Sequence, residues 1–145
     1  MNIQVSREDL LKQLGYKDPP QPRLLDMVLE VLGLLGGLVE PRLAFKGIQG
    51  DNELPAFLRG AALKYAGAAT LGLKLENKVK DLFDEGKAVE AYILDTAGSV
   101  AMTKAGNILW NEIRQDAEVK GFKTPVGELK RKQASEIYGI HIEVV

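Results

Sequence analysis

Apolar residues recur at intervals of three and four along much of the chain, which is the spacing of one helix face. Residues 6–15 form the first such segment, with Ser6 as an N-cap and Gly15 as a stop. Leucine-rich residues 23–37 form the second, and residues 75–83 form the third. The pattern predicts a helix over each segment. The glycines near the end of the second predict close packing against a neighbouring element.

The longest periodic segment covers residues 88–119 and is apolar around most of a helical circumference, which is typical of a buried helix. Asp95, Ser99, Thr103 and Asn107 follow one another along it at steps of four. Such a step turns a helix by about 40°, so these side chains form one line, here called the polar ridge. Buried polar groups need partners. The ridge either hydrogen-bonds to a neighbouring strand or marks where the helix surfaces, or it lines a groove for a ligand or partner.

Short apolar runs between the helices predict strands near residues 43–48 and 65–73, and residues 140–144 alternate as a terminal strand. Thr124 and Pro125 are typical of a helix start and predict a further helix to Tyr138. Helices and strands do not alternate regularly. The prediction is therefore an α+β fold with a small antiparallel sheet, packed with helices that include one long central helix, in a single domain over residues 1–145.

Composition narrows the classes of function. The chain has 145 residues, enough to bury about two thirds of its unfolded surface in one core. It lacks cysteine, which excludes disulfides and thiolate ligands, and its 19 basic and 20 acidic residues give no case for nucleic-acid binding. Its longest apolar run is interrupted by Glu30 and is shorter than the about 20 residues that span a bilayer. We expect a cytoplasmic protein that binds neither nucleic acid nor membrane.

Catalytic signatures are missing from the sequence. Gly67 and Gly72 bracket a stretch that only imitates a phosphate-binding loop. His141 is the sole histidine, and no nucleophile lies near it in sequence. The carboxylates at residues 81–85 cluster at a predicted helix end, where they favour solubility over acid–base pairing. We therefore predict no catalytic residue and no metal site.

Three segments together resemble the activation domain of vitamin B12-dependent methionine synthase, in particular its compact, free-standing relatives. They are residues 5–16, residues 69–72 with the helix that follows, and residues 90–101. The most specific part is residues 94–101, which read Leu-Asp-Thr-Ala-Gly-Ser-Val-Ala. The resemblance implies a twisted antiparallel sheet, and a domain that presents S-adenosylmethionine to cob(II)alamin during reductive remethylation.

In that family, S-adenosylmethionine is held by a glutamate on the long helix and by an arginine shortly before a Pro-Gly-Tyr turn. The glutamate position corresponds here to Thr103, and the loop reads Phe-Lys-Thr-Pro-Val-Gly over residues 122–127, with neither arginine nor tyrosine. The hydroxyl of Thr103 cannot supply the negative charge that a glutamate carboxylate supplies. The residues expected to bind a ligand or partner are the polar ridge (Asp95, Ser99, Thr103, Asn107) with Lys123 and Thr124.

These observations lead us to expect a shortened, non-catalytic accessory protein that contacts a corrinoid protein or a cobalamin-dependent methyltransferase. No resident cofactor is predicted; S-adenosylmethionine and the cobalamin of a partner are the two candidates. One alternative is a subunit that binds S-adenosylmethionine for reductive reactivation of a methyltransferase, with Lys123 in place of the arginine. The other is a structural scaffold that retains no ligand. If the chain is part of an enzyme, that enzyme is a methionine synthase-type methyltransferase.

Overall fold

A computed structural model of the chain describes residues 1–49, 56, 63–121 and 140–144. These residues contain helices α1 (Arg7–Gln13), α2 (Pro22–Leu38), α3 (Lys74–Asp84) and α4 (Ala88–Val119), and strands β1 (Arg42–Gly47), β2 (Tyr65–Thr70) and β3 (Ile140–Val144). The α+β class and the long helix are confirmed. The helix predicted from Thr124 to Tyr138 lies outside the described residues.

Local sequence explains where the first two helices begin. Ser6 caps α1 reciprocally: the Asp9 backbone N–H donates to Ser6 Oγ at 3.0 Å, and the Ser6 N–H donates to an Asp9 carboxylate oxygen at 3.4 Å. Proline occupies the first position of α2, where its missing N–H has no helical partner to lose. Helix α1 therefore starts where its N-cap predicts, and α2 starts one residue before the predicted segment of residues 23–37.

The strands form one sheet in the order β1-β2-β3. The Glu40 N–H donates to the Leu71 carbonyl at 2.8 Å and the Ile48 N–H to the Lys64 carbonyl at 2.8 Å, so β1 and β2 run antiparallel. This pair confirms the predicted antiparallel sheet. Strand β3 adds to β2 as a parallel neighbour, with Tyr65 opposite Ile140.

Residue contacts divide the chain into two compact units, one of residues 1–42 and 70–105 and the other of residues 43–69 and 106–145. The core of the first unit is built from α1–α4 and includes the fully buried Leu10, Val28 and Leu94. In the second unit, Tyr65 and Ala69 of β2 and Leu109 and Ile113 of α4 are buried. The single-domain organisation over residues 1–145 stays a prediction.

The glycines differ in how closely other parts of the structure approach them. A Cβ at Gly67 on β2 would lie 3.1 Å from Leu109 Cδ2, so the strand backbone packs directly on α4. The close packing predicted for the glycines of α2 is wrong for the described residues. A Cβ at Gly33, Gly36 or Gly37 would meet no described atom within 4 Å. These glycines face open space, and the buried side of α2 consists of Val28, Val31 and Leu35 instead.

Candidate functional site

Helix α4 buries one row of small and aliphatic side chains. Its members are spaced four residues apart, and each is at most 3% exposed: Ala97, Ala101, Ala105, Leu109, Ile113 and Ala117. The polar ridge lies two positions from the first four members of this row. Two positions turn a helix by about 200°, so the ridge lies on the opposite side of α4. Both lines drift around the axis at the same rate because both advance in steps of four.

Asp95, Ser99, Thr103 and Asn107 are accordingly all exposed. The prediction that the ridge is buried is wrong. The ridge marks where the helix is exposed to solvent, which is one of the alternatives that the sequence leaves open. The alanines at positions 97, 101 and 105 explain the error, because small apolar residues on the buried side make the whole segment read as apolar.

The hydroxyl groups beside and along the ridge donate to the carbonyls of their own helix, one turn earlier. Thr96 Oγ1 donates to Tyr92 O at 2.8 Å, Ser99 Oγ to Asp95 O at 3.3 Å and Thr103 Oγ1 to Ser99 O at 3.1 Å. A hydroxyl has one proton and two lone pairs, so the Thr96 and Ser99 oxygens keep acceptor capacity toward solvent. With the Asp95 carboxylate, they make this face of α4 a line of hydrogen-bond acceptors.

A second polar group, which sequence reasoning missed, lies where α4 approaches β2. Tyr65 Oη donates to Asp116 Oδ2 at 2.5 Å, and Asp116 Oδ2 lies 3.0 Å from Lys120 Nζ. The same ammonium lies 5.0 Å from the centre of the Tyr65 ring, and Phe45 approaches that ring edge-on at 6.1 Å between centroids. We call Tyr65, Asp116 and Lys120 the tyrosine cluster.

The ionisation of the tyrosine cluster follows from these contacts. The hydrogen bond from Tyr65, helped by Lys120, holds the pKa of Asp116 below its ordinary value. Burial, and secondarily the hydrogen bond to Asp116, raises the pKa of Tyr65. The hydrogen bond to Asp116 raises the pKa of Lys120. The cluster therefore favours a neutral tyrosine, a charged carboxylate and a charged ammonium, an arrangement that links α4 to the sheet.

The helical spacing of Asp116 and Lys120 is visible in the sequence, as an i,i+4 pair of opposite charge. Nothing in the sequence shows that the tyrosine 51 residues earlier meets the same carboxylate. That contact depends on how β2 and α4 pack within their unit. The signal that was available, a charged pair at the end of a long helix, more often indicates only a solvated face.

The remaining sequence candidates fall in different places. Lys123 and Thr124 lie outside the described residues. His141 lies on β3, where its backbone is opposite Ala66. Gly67 lies within β2, and Gly72 forms the turn after it with φ of 82° and an N–H bonded to Thr70 Oγ1 at 3.1 Å. That stretch is a strand and a tight turn, and α3 begins two residues after Gly72, at Lys74.

The carboxylates at residues 81–85 are exposed, as expected of a solubilising cluster. Asp84 pairs with Lys80 at 2.6 Å, and Glu85 pairs with Lys87 at 3.3 Å. Across the described ranges, no group of three or more histidine or carboxylate side chains is placed to hold a metal ion. In the same ranges, no helix is both long enough and apolar enough to cross a bilayer.

The position of Thr103 in the ridge bears on whether the chain can bind S-adenosylmethionine. Thr103 is exposed and its hydroxyl donates to its own helix, so it supplies no charge where the resemblance places a carboxylate. This position does not fit the ligand in the way the family requires, and we derive no chemical step through it. Comparison with protein-family models and with curated proteins finds no match to this chain.

Proposed function

We propose that this chain is a non-catalytic accessory protein, related to the activation domain of cobalamin-dependent methionine synthase, that contacts a corrinoid protein or its methyltransferase through the polar ridge. The observation that carries the proposal is the exposure of all four ridge side chains on the side of α4 opposite its buried row. A ridge in this position is available to another molecule without any rearrangement of the core.

The chemistry of the ridge indicates the kind of surface it would meet. The Ser99 proton is directed to a carbonyl of the same helix, so its outward-facing capacity is that of an acceptor. Asp95 adds a carboxylate, which accepts only. The complementary surface therefore carries donors, such as arginine, lysine or backbone N–H groups. The loop from Gly121 to Gly127 is the other part of the proposed contact surface, and its residues 122–127 lie outside the described residues.

The test is a titration of a purified corrinoid protein, loaded with cob(II)alamin, with the full chain while the cobalamin absorption spectrum and complex formation are followed. We expect a complex that is weakened at least tenfold by Asp95→Ala. Asp81→Ala is the matched control because Asp81 is also an exposed carboxylate, but on α3. No complex and no spectral change, or equal effects of the two substitutions, would contradict the proposal.

Calorimetric titration with S-adenosylmethionine separates this proposal from the alternative subunit that binds the ligand. We expect no heat of binding, because Thr103 replaces the carboxylate. Saturable heat that is lost on Lys123→Ala would instead support the alternative. A chain that binds neither the corrinoid protein nor S-adenosylmethionine would be the structural scaffold.

A further inference from the structure

A groove of about 530 Å³ lies beside the N-terminal segment, and its described lining residues belong to the unit of residues 1–42 and 70–105. Residues 2–5 line one part of it, and Leu32, Leu35 and Gly36 of α2 line another. Asp9 and Lys104 also contribute to the lining and form an ion pair of 2.8 Å. Its volume is in the range of pockets that hold small ligands or a few residues of peptide.

The lining segment at residues 2–5 has the pattern of a strand that lacks a neighbour. Ile3 and Val5 are half-buried, whereas Asn2 and Gln4 are exposed, and this alternation has the period of a strand. Within the part of the chain that the structure describes, the backbone groups of these residues make no hydrogen bond. Unpaired N–H and C=O groups along such a segment are the template on which an added strand pairs.

The charges of the groove favour a ligand rich in amide groups over an ionic one. Among its described lining residues only Asp9 and Lys104 are charged, and they neutralise each other. Lys104 Nζ and the Ser6 N–H both meet Asp9 Oδ2, which leaves the other carboxylate oxygen as an acceptor and two ammonium protons as donors. A peptide bond supplies one donor and one acceptor, and so complements this pair without adding net charge.

We propose that this groove binds an extended peptide segment of a partner protein, which adds as a strand to residues 2–5. Apolar side chains at alternate positions of the peptide would pack on Leu32 and Ile3, because successive side chains of a strand point to opposite sides. Gly36 leaves room for them: a Cβ there would meet no described atom within 4 Å. Strand addition of this kind gives affinity through the backbone and specificity through the alternate side chains. The proposal does not depend on the polar ridge.

The experiment uses phage-displayed random eight-residue peptides, selected on the full chain. Gly36→Leu fills the groove, and Gly33→Leu is the matched control because it lies on the same helix, faces open space and is not among the lining residues. Both substitutions raise helix propensity equally. We expect selected peptides to lose at least tenfold in affinity for the Gly36→Leu chain and to bind the Gly33→Leu chain as they bind the original.

Amide hydrogen exchange then tests the mode of binding. A strand added on one edge pairs with every second N–H, and a paired backbone is protected. The bound peptide is therefore expected to slow exchange by tenfold or more at alternate residues of the segment, either at Ile3 and Val5 or at Gln4. Failure to select any peptide, equal binding to both variants, or unchanged exchange at these residues would each overturn the proposal. A concentration-dependent dimer that Gly36→Leu abolishes would also overturn it, by assigning the groove to a second copy of the chain.

Discussion

Gly98 of α4 lies directly against Leu75 of α3, so closely that a Cβ on the glycine would come within 2.6 Å of Leu75 Cδ2. Leu75 is only 7% exposed and is held by the core around it. The Leu75 side chain therefore packs directly on Gly98, and a Cβ there would require that side chain to shift.

We predict that Gly98→Ala destabilises the chain. The added methyl forces the Leu75 side chain or the helix backbone to shift, which costs about 1–3 kcal/mol in a packed core. The better helix propensity of alanine offsets about 1 kcal/mol of this. The expected net loss in the free energy of unfolding is about 1 kcal/mol, measured by urea denaturation.

Gly33→Ala is the control for Gly98→Ala. Gly33 is also inside a helix, but a Cβ there meets no described atom within 4 Å. The free energy of unfolding should therefore rise by about 1 kcal/mol, from helix propensity alone. Equal changes in the two variants would show that Gly98 has no packing role. Recovery of Gly98→Ala by Leu75→Ala would identify the clash directly.

Tyr65→Phe tests the tyrosine cluster. It removes the hydrogen bond to Asp116 and leaves the ring in place over which Lys120 lies. We expect a lower melting temperature and a rise in the pKa of Asp116 toward its ordinary value, since the Tyr65 bond is the largest cause of its depression. Carboxyl-carbon NMR titration measures this pKa. An unchanged value would show that Lys120 alone sets it.

The free energy of unfolding should fall at both ends of the pH range. Asp116 accounts for a loss in acid, and Tyr65 and Lys120 account for a loss in base. Asp116 has a lowered pKa, so its contribution is present above its unfolded value of about 3.9 and disappears as pH falls through the folded value. Tyr65 and Lys120 have raised pKa values, so their contributions are present below unfolded values of about 10 and disappear as pH rises through the folded values.

Asp9 also contributes to the loss of stability in acid, because hydrogen bonds from Lys104 and then Ser6 lower its pKa. Chemical denaturation from pH 2 to pH 12 is the measurement. In Asp116→Asn, stability should depend less steeply on acid. If that variant has the same acid dependence as the original chain, Asp116 is not among the groups responsible.

Asp95→Ala should leave folding unchanged to within about 0.5 kcal/mol, because substitutions at exposed positions outside special contacts have small effects. Asp95 is exposed, and its carboxylate takes part in no ion pair among the described residues. Thermal melting and corrinoid-protein binding are measured on the same preparation. Loss of binding with unchanged melting supports the contact surface, whereas a drop of several degrees with unchanged binding supports a structural role.

Local signals predicted the elements well. The Ser6 cap predicts the start of α1, and the periodic run predicted to end near Val119 ends there. Contacts between distant residues were not predictable, because no local rule connects Tyr65 with Asp116 or Gly98 with Leu75. The ridge is exposed although the segment is apolar overall, because the alanines of the buried row lie on the opposite side of α4.

The common step of four in the buried row and the polar ridge has a consequence for changes in the length of α4. Removing one residue, such as Val100, turns all later residues by about 100° about the axis relative to earlier ones. Thr103 would then leave the line of Asp95 and Ser99, while part of the buried row would turn toward solvent. Exchanging an exposed side chain leaves both lines of residues intact, whereas a single-residue insertion or deletion would break the polar ridge and the buried row at the same point of the helix.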